Sequence, residues 1–268
     1  MLSATQIAQF EHDGFLVLSA CASTEFCQQV LAYVETELAQ IQQKSQQLQH
    51  LQQSQQTQLV EYEVDTRYPG APRSRDEEGG LTVRRLLQAY ARDPLFQTWV
   101  AHAPVRQALG QLLGSPFYLS QAHHNCIMTK HPRYSSRTGW HRDSRYWNFQ
   151  RAQLISVWLA LREEVVENGC LWVIPGSHHW HLNAEQFDDA QFLREDLAEN
   201  QVLLKQAQSV ALQAGDVLLF HSNLFHAAGA NHTNATKFSL VMTYRAQNNL
   251  AIAGSRSARL PEIELSMN

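Results

Sequence analysis

Three side chains in this sequence have the types and spacing of a metal site. The segment WHRD at 140–143 places His141 and Asp143 two residues apart. Residues two apart on a strand share a face, so both side chains can point at one ion. His226 follows a second apolar run, 217–221, and is a candidate third ligand. Two histidines and one carboxylate, with the other positions open, favour non-haem Fe(II) and oxygen chemistry.

Histidine is also unusually concentrated in this chain. There are 13 histidines among 268 residues, and ten of them lie between His123 and His232. Histidine is the commonest metal ligand in proteins. In such a chain an H-x-D pair also arises by chance, as a surface histidine beside a turn aspartate. The motifs around the pair must therefore decide between a metal site and an ordinary surface.

Charge and composition exclude several classes of protein. Lys and Arg total 21 against 25 for Asp and Glu, a net charge of −4, so no broad basic face is available for nucleic acid or anionic lipid. The hydrophobic fraction of 44% is enough for a packed core. The four cysteines form no C-x-x-C pair, and we find neither a signal peptide nor a stretch of transmembrane length. We expect a cytoplasmic protein without membrane or nucleic-acid partners.

The second half of the chain consists of short runs rich in β-forming residues. Turn sequences such as 167–169, 175–177 and 214–216 separate them. Several short strands with turns between them predict a β-sandwich or barrel, and no glycine-rich phosphate loop follows any of them. The predicted strands are Phe117–Met128, Leu154–Leu161, Cys170–Ile174, Ser209–Leu212, Val217–His221 and Phe238–Arg245.

The first part of the chain, residues 1–115, is predicted to be mainly helical. Helical patterning covers 3–40, interrupted by a short strand at Phe15–Leu18, and Ser23 is a plausible N-cap for the helix that follows. Helical periodicity returns over 81–113.

A glutamine-rich segment, 40–58, lies within this helical part. Its thin apolar seam is compatible with a solvated helix, a disordered insert, a partner-binding coiled segment or a lid. The helical part is also where we expect any homo-oligomer contact. The Pro/Gly-rich segment 67–80 is predicted to be a loop, and its first half, 67–75, is a second candidate lid.

The order of the motifs resembles a known family. The series WHRD, SVWLAL, ENGCLWVIPGSH and LQAGDVLLFHSNLFHAAGAN, within 14–245, is similar to the phytanoyl-CoA dioxygenase family of Fe(II)/2-oxoglutarate oxygenases. The resemblance implies a mainly β fold, a double-stranded β-helix (jelly roll) core flanked by N-terminal helices. It also implies iron held by His141, Asp143 and His226, with 2-oxoglutarate and O₂ as co-substrates.

The resemblance implies one oxygenase domain over 1–268, with a jelly-roll core at 116–246 and a C-terminal tail at 247–268. The implied reaction is hydroxylation of a small organic molecule, with succinate and CO₂ as co-products. Two alternatives stay open. One is a cupin-like metal enzyme that does not use 2-oxoglutarate, and the other is a catalytically idle relative that acts through protein contacts.

The co-substrate anchor departs from the family pattern. Where such proteins usually carry an arginine that binds the far carboxylate of 2-oxoglutarate, this chain has Lys237, with Ser239 two residues later and Arg245 as a rival. Lysine supplies a point charge rather than a bidentate fork. Four further residues match the family's co-substrate region, more loosely for the first three: Asn125, Met128, Trp158 and His181.

The substrate site is expected next to the metal pair. Arg142, Arg145, Tyr146 and Trp147 adjoin it in sequence, and a cationic, aromatic rim suits a substrate that carries a carboxylate or phosphate.

Overall fold

The computed structural model describes residues 1–49, 59–66 and 68–267. Within these ranges the chain forms six α-helices: α1 (Ala4–Asp13), α2 (Thr24–Gln49), α3 (Ala89–Arg92), α4 (Pro94–Val100), α5 (Ala103–Leu113) and α6 (Ala198–Leu204). The same ranges hold thirteen strands: β1 (Phe15–Leu18), β2 (Val60–Tyr62), β3 (Val83–Leu87), β4 (Phe117–Leu119), β5 (Asn125–Lys130), β6 (Thr138–His141), β7 (Leu154–Ala160), β8 (Leu171–Val173), β9 (Gln208–Val210), β10 (Val217–His221), β11 (His226–Ala228), β12 (Lys237–Ala246) and β13 (Ile263–Leu265).

The strands form two antiparallel sheets that pack face to face. The larger sheet has the order β1-β10-β7-β12-β5-β3-β2, with β4 paired to β12 and β13 paired to β4, and the smaller has the order β6-β11-β8-β9. Trp158, Leu218 and Val241 of the larger sheet pack against Leu171 and Val210 of the smaller one. This sandwich is the predicted double-stranded β-helix, and the mainly β fold class is confirmed.

Helices α1 to α5 contribute to the core on the outer face of the larger sheet. Side chains alternate along its strands, so Leu159 and Leu240 point away from the smaller sheet and pack with Val30, Phe96 and Leu109 of α2, α4 and α5. These apolar side chains are essentially inaccessible to solvent. The larger sheet therefore has one face that is buried under helices and one face that is free to line a cavity.

Most of the predicted strands agree with the structure, but one predicted strand and one predicted helix do not. β1, β7, β10 and β12 lie where the sequence predicts them, and Ser23 does cap α2 by accepting from the Phe26 amide at 3.1 Å. The predicted strand 117–128 is interrupted between β4 and β5. The predicted helix over 81–113 is wrong at its start, because 83–87 forms β3, in which Leu86 and Leu87 point to opposite faces of the sheet.

The front of the chain is thus helical with three strands, since β1, β2 and β3 all join the larger sheet. The glutamine-rich segment continues α2 as far as Gln49, while 50–58 and residue 67 lie outside the described residues, so the predictions that fall there stay predictions. The C-terminal tail contributes β13, which pairs with β4. Among the described residues, no helix is long and apolar enough to cross a membrane.

Candidate metal centre

The three predicted ligands meet at one end of the space between the sheets. His141 ends β6 and His226 begins β11, and the two residues are directly paired across these strands. Asp143 starts a 3₁₀ turn immediately after β6. Their ligand atoms lie within 4.8 Å of one another, with His141 Nε2 at 3.8 Å and His226 Nε2 at 3.6 Å from Asp143 Oδ1. The i, i+2 spacing on a strand end and one cross-strand pair thus build the cluster.

Backbone carbonyls fix the orientation of both imidazoles. His141 Nδ1 lies 2.8 Å from the Gly139 carbonyl oxygen, and His226 Nδ1 lies 3.0 Å from that of Leu224. Because a carbonyl only accepts, Nδ1–H donates, which leaves the lone pair on each Nε2 facing the Asp143 carboxylate. Burial lowers the pKa of His141 well below its usual value, and the neighbouring His226 and Arg145 lower it further. The ring is therefore neutral, the form that binds metal.

The Asp143 side chain is held as an ionised carboxylate. Burial raises the pKa of this carboxyl, but His124, His226 and His141 together lower it further than burial raises it, so the pKa lies below the usual range. His124 Nδ1 lies 3.3 Å from Asp143 Oδ2, and the Ser156 hydroxyl lies 3.4 Å from the same oxygen.

Two imidazole lone pairs and a carboxylate that converge in a buried pocket need a cation between them. The donor set is two imidazole nitrogens and one carboxylate oxygen, all within 4.8 Å of one another. This set and geometry fit Fe(II) in a facial triad.

A cavity extends from this cluster between the two sheets. On the larger sheet it is lined by Lys237, Ser239, Met128 and Trp158, which were predicted to hold the co-substrate. At its mouth lie Arg145, Tyr146 and Trp147, which were predicted to meet the substrate. The Arg145 guanidinium stacks 3.8 Å from the Phe192 ring centroid, which holds this cation beside the opening.

Three predicted site residues lie elsewhere. Asn125 is three residues from Met128 on β5, hence on the opposite face of the sheet, where its Oδ1 accepts from the Tyr90 amide. Arg142 lies between two ligands and points the other way, so that it donates to the carbonyls of Ser177 and Trp180. His181 is exposed and lies outside the cavity lining.

Arg245, the other candidate for the anchor, also forms its contacts outside the cavity. Its Nε lies 2.8 Å from Glu262 Oε1, and its guanidinium lies 4.3 Å from the Tyr118 ring centroid. Among the two candidates, only Lys237 lines the cavity.

A buried carboxylate that the sequence did not predict lies behind the cavity wall and binds three of the residues that line it. Glu164 lies in the connection between β7 and β8, and it is 0% exposed. Its Oε2 is 2.8 Å from Lys237 Nζ, while its Oε1 accepts from the Ser239 hydroxyl at 2.6 Å and from the Trp158 indole N–H at 3.0 Å. The predicted anchor therefore forms a buried ion pair within the chain.

A second buried lysine lies beside the first on the neighbouring strand. Lys130 on β5 is paired directly with Lys237 on β12, and its ammonium donates to the carbonyl oxygens of Ser136 and Gly229. Burial lowers the pKa of Lys130 to about 7, and the positive charges of Lys237 and Arg84 add to this effect.

Sequence reasoning also missed the basic residues on β3. Arg84 and Arg85 line the cavity, as does Arg256 from the C-terminal tail. Two adjacent arginines inside an apolar strand were the available signal, since charged side chains in a sheet are buried only when they are paired or line a site. Arg85 Nε lies 3.2 Å from Glu61 Oε1, and Arg84 is hydrogen-bonded to Glu63.

The profile of one protein family, described as phytanoyl-CoA dioxygenase (PhyH), matches residues 10–239 of this chain. The chain belongs to the phytanoyl-CoA dioxygenase family. Its members are Fe(II)/2-oxoglutarate-dependent oxygenases.

Individual relatives agree with this membership. Phytanoyl-CoA dioxygenase domain-containing protein 1 of Mus musculus is 24% identical over 260 residues, which cover 88% of this chain and 87% of that protein. Ectoine dioxygenase of Bordetella bronchiseptica is 24% identical over 270 residues, covering 92% and 77%. The crystal structure of EctD from S. alaskensis with 2-oxoglutarate and 5-hydroxyectoine has a TM-score of 0.68 at 22% identity and covers 94% of this chain and 78% of that one. At this identity the structural likeness shows the fold.

Proposed function

We propose that the protein is a non-haem Fe(II)-dependent oxygenase that couples oxidative decarboxylation of a 2-oxo acid, 2-oxoglutarate in its family, to hydroxylation of a small organic molecule. The observation that carries the proposal is the buried convergence of His141, Asp143 and His226 with both imidazoles oriented by carbonyls. Family membership and the co-substrate in the EctD structure support it.

When bound, iron would combine with O₂ and the 2-oxo acid to supply the oxidant. One oxygen atom enters the acid that remains after CO₂ leaves, and the other enters the C–H bond of the substrate, so that both atoms of O₂ are accounted for. His141, Asp143 and His226 would hold the iron, which would supply the remaining coordination positions for the 2-oxo acid and O₂. Its apolar walls, including Trp158 and Leu171, keep bulk water from the reacting atoms.

The mouth of the cavity supports a substrate that carries negative charge. The Arg145 guanidinium lies 4.4 Å from the Tyr146 ring centroid, and Arg256 of the C-terminal tail also lines the cavity. A guanidinium that is positioned next to an aromatic ring suits recognition of a carboxylate or phosphate. We therefore propose a small organic anion as the substrate class.

The proposed function is tested by adding Fe(II) and a 2-oxo acid to the metal-free protein without oxygen. Chelation of the iron by the 2-oxo acid gives a metal-to-ligand charge-transfer band in the visible spectrum, and its absence with every 2-oxo acid would refute the proposal. A screen of small organic anions, which measures CO₂ released per molecule of O₂ consumed, then identifies substrates by their stimulation of turnover.

Three further properties belong to the same proposal. We propose that residues 1–268 form one oxygenase domain, because helices pack on one face of the larger sheet and the smaller sheet packs on its other face. Association through the helical front and a cytoplasmic location stay predictions, and size measurements and localisation experiments test them.

A further inference from the structure

The far end of the cavity, away from the metal, is the position of Lys237, and Lys130 lies beside it on the neighbouring strand. The two residues are directly paired across β12 and β5, so their side chains lie on the same face of the larger sheet. Both line the cavity and both are buried, with exposed fractions of 4% for Lys237 and 8% for Lys130. Two ammonium groups therefore occupy one region in which little water screens their charges.

The larger sheet places four cationic side chains along this cavity, and three of them have a carboxylate partner. The four are Arg84, Arg85, Lys130 and Lys237. The three ion pairs are Arg84 with Glu63, Arg85 with Glu61, and Lys237 with Glu164. In the described part of the chain, Lys130 is the one member of the four that has no carboxylate partner. This wall of the cavity thus carries one positive charge that the chain itself does not balance.

The contacts of Lys130 orient its ammonium without balancing its charge. Nζ donates to the backbone carbonyl oxygens of Ser136, at 3.1 Å, and of Gly229. A carbonyl oxygen carries no net charge, and an ammonium has three donors, so one N–H and the whole unit charge stay available. A buried cation is unfavourable unless an anion balances it, and here only the cavity can supply that anion.

The far carboxylate of 2-oxoglutarate has the charge that this position requires. The acid would bind iron through its 2-oxo carboxylate end, which leaves a single negative charge at its other end. Glu164 neutralises Lys237 from behind the cavity wall, so this pair adds no net charge, whereas Lys130 adds one. Two ammonium groups on adjacent strands also offer a donor to each oxygen of a carboxylate, which one lysine does not do as well as an arginine.

We propose that Lys130 binds the far carboxylate of 2-oxoglutarate and supplies the countercharge that the Lys237–Glu164 pair lacks. The inference rests on the proposed function and deepens it, because it assigns recognition of the co-substrate to a residue that the family pattern does not indicate. The unbalanced charge that burdens the empty cavity becomes the source of affinity when the co-substrate binds.

Charged groups on four neighbouring segments determine how Lys130 titrates. Burial lowers its pKa to about 7, Lys237 and Arg84 lower it further, and Glu63 and Glu164 oppose this shift. A carboxylate bound beside the ammonium stabilises the charged form and raises the pKa. Above pH 7, binding of 2-oxoglutarate should therefore take up a proton, so its affinity should fall as the pH rises.

The first test compares two acids that differ only at the far end. In 2-oxopentanoate a methyl group replaces the far carboxylate of 2-oxoglutarate, and both acids chelate iron through the same atoms. Each is titrated into the Fe(II)-loaded protein without oxygen, and the charge-transfer band reports binding. At pH 7 we expect the wild type to bind 2-oxoglutarate at least ~10-fold more tightly than 2-oxopentanoate.

Substitution of Lys130 should remove this preference selectively. Lys130→Met keeps an unbranched side chain without the charge, so the affinity for 2-oxoglutarate should fall at least ~10-fold while that for 2-oxopentanoate stays near the wild-type value. Lys205→Met is the matched control, because Lys205 is exposed, and it should leave both affinities unchanged.

The second test repeats the titrations between pH 7 and pH 9. The ratio of the two affinities should fall with pH in the wild type, by up to about 10-fold per pH unit, and should not depend on pH in Lys130→Met. Effects of pH on the metal and its ligands are common to both acids and cancel in the ratio. The wild-type measurement decides the matter even where the variant folds poorly.

Each outcome has a defined reading. A preference for 2-oxoglutarate that persists in Lys130→Met, or a wild-type ratio that is constant with pH, overturns the inference and leaves the proposed function intact. Equal losses for both acids in Lys130→Met, or no preference in the wild type, overturn it as well. Absence of the band with both acids overturns the proposed function itself.

Discussion

The two ends of the cavity differ in how their charged groups are satisfied. At the metal end, two imidazole lone pairs face one carboxylate, so the groups require a cation from outside the chain. At the far end, an ammonium, a hydroxyl and an indole N–H surround one carboxylate of the same chain. The first arrangement is preorganised for an external ligand, while the second is already complete. Similar numbers of buried polar groups can therefore mark a binding site or a closed structural network.

The largest expected effect is the loss of iron affinity when a metal ligand is removed. His226→Ala removes one of three ligands, and we expect the affinity for Fe(II) to fall by more than about 100-fold and the charge-transfer band to disappear. Iron binding measured by equilibrium dialysis checks this. His232→Ala, an exposed histidine six residues later, should bind iron as the wild type does. Retention of wild-type iron affinity by His226→Ala would remove this residue from the ligand set.

The next largest effect is the loss of stability when the Lys237–Glu164 ion pair at the far end is broken. Lys237→Met leaves Glu164 buried without its cation, and we expect the free energy of unfolding to fall by about 3–5 kcal/mol. The double substitution Glu164→Gln with Lys237→Met removes both charges and should recover most of that loss. Urea unfolding at pH 7 measures the free energy of unfolding of the wild type, the single variant and the double variant. A single variant within ~1 kcal/mol of the wild type would show that the pair is not closed in solution.

The pH dependence of the free energy of unfolding tests the environment of Lys130, which lies beside the far end of the cavity. Its pKa is about 7 in the folded protein and 10.5 in an unfolded chain, so between these values the unfolded state binds more protons. The free energy of unfolding should therefore rise with pH over this interval, by up to about 1.4 kcal/mol per pH unit from this group. Below pH 7 the full cost of burying the charge is present.

Lys130→Met provides the reference for this measurement. The stability advantage of the methionine variant over the wild type should be largest near pH 7 and should shrink toward pH 9. A difference in unfolding free energy that stays constant across this range would show that Lys130 keeps its ordinary pKa in the folded state.

The smallest expected effect concerns the support of Asp143. His124 Nδ1 lies 3.3 Å from its Oδ2, while the neighbouring His123 is instead paired with the Ser257 hydroxyl at 2.6 Å. We expect His124→Phe to weaken iron binding about 10-fold, because the ligand loses an orienting partner. His123→Phe should leave iron affinity unchanged. Equal losses in both variants would indicate general damage to the cavity wall.

The sequence predicted the parts of the site that depend on local spacing. His141 and Asp143 are two residues apart at a strand end, and the apolar run 217–221 leads directly to His226, so short-range patterns were enough to group them. The alternation of side chains along a strand also argues against two other predictions. Asn125 is three residues from Met128 on one strand, and Arg142 lies between two ligands, so each must face away from its neighbours.

The far end of the cavity was not predictable in this way. Glu164 reaches Lys237 only because the connection after β7 folds back beside Leu212, a contact between positions that are far apart along the chain. Likewise, β3 joins the larger sheet beside β5 and brings two arginines into the cavity, although its leucines fit a helical pattern as well. Side-chain periodicity carries no information about such distant pairings.

The two ends of the cavity also belong to different sheets. His141 and His226 lie on the smaller sheet, whereas Lys237 and Ser239 lie on the larger one. The gap between the two layers, about 10 Å in sandwiches of this kind, therefore sets the length of molecule that fits between iron and the Lys237–Glu164 pair. Substitutions in the shared core that widen or narrow this gap should shift the preferred chain length of the 2-oxo acid, without touching a single residue that binds it.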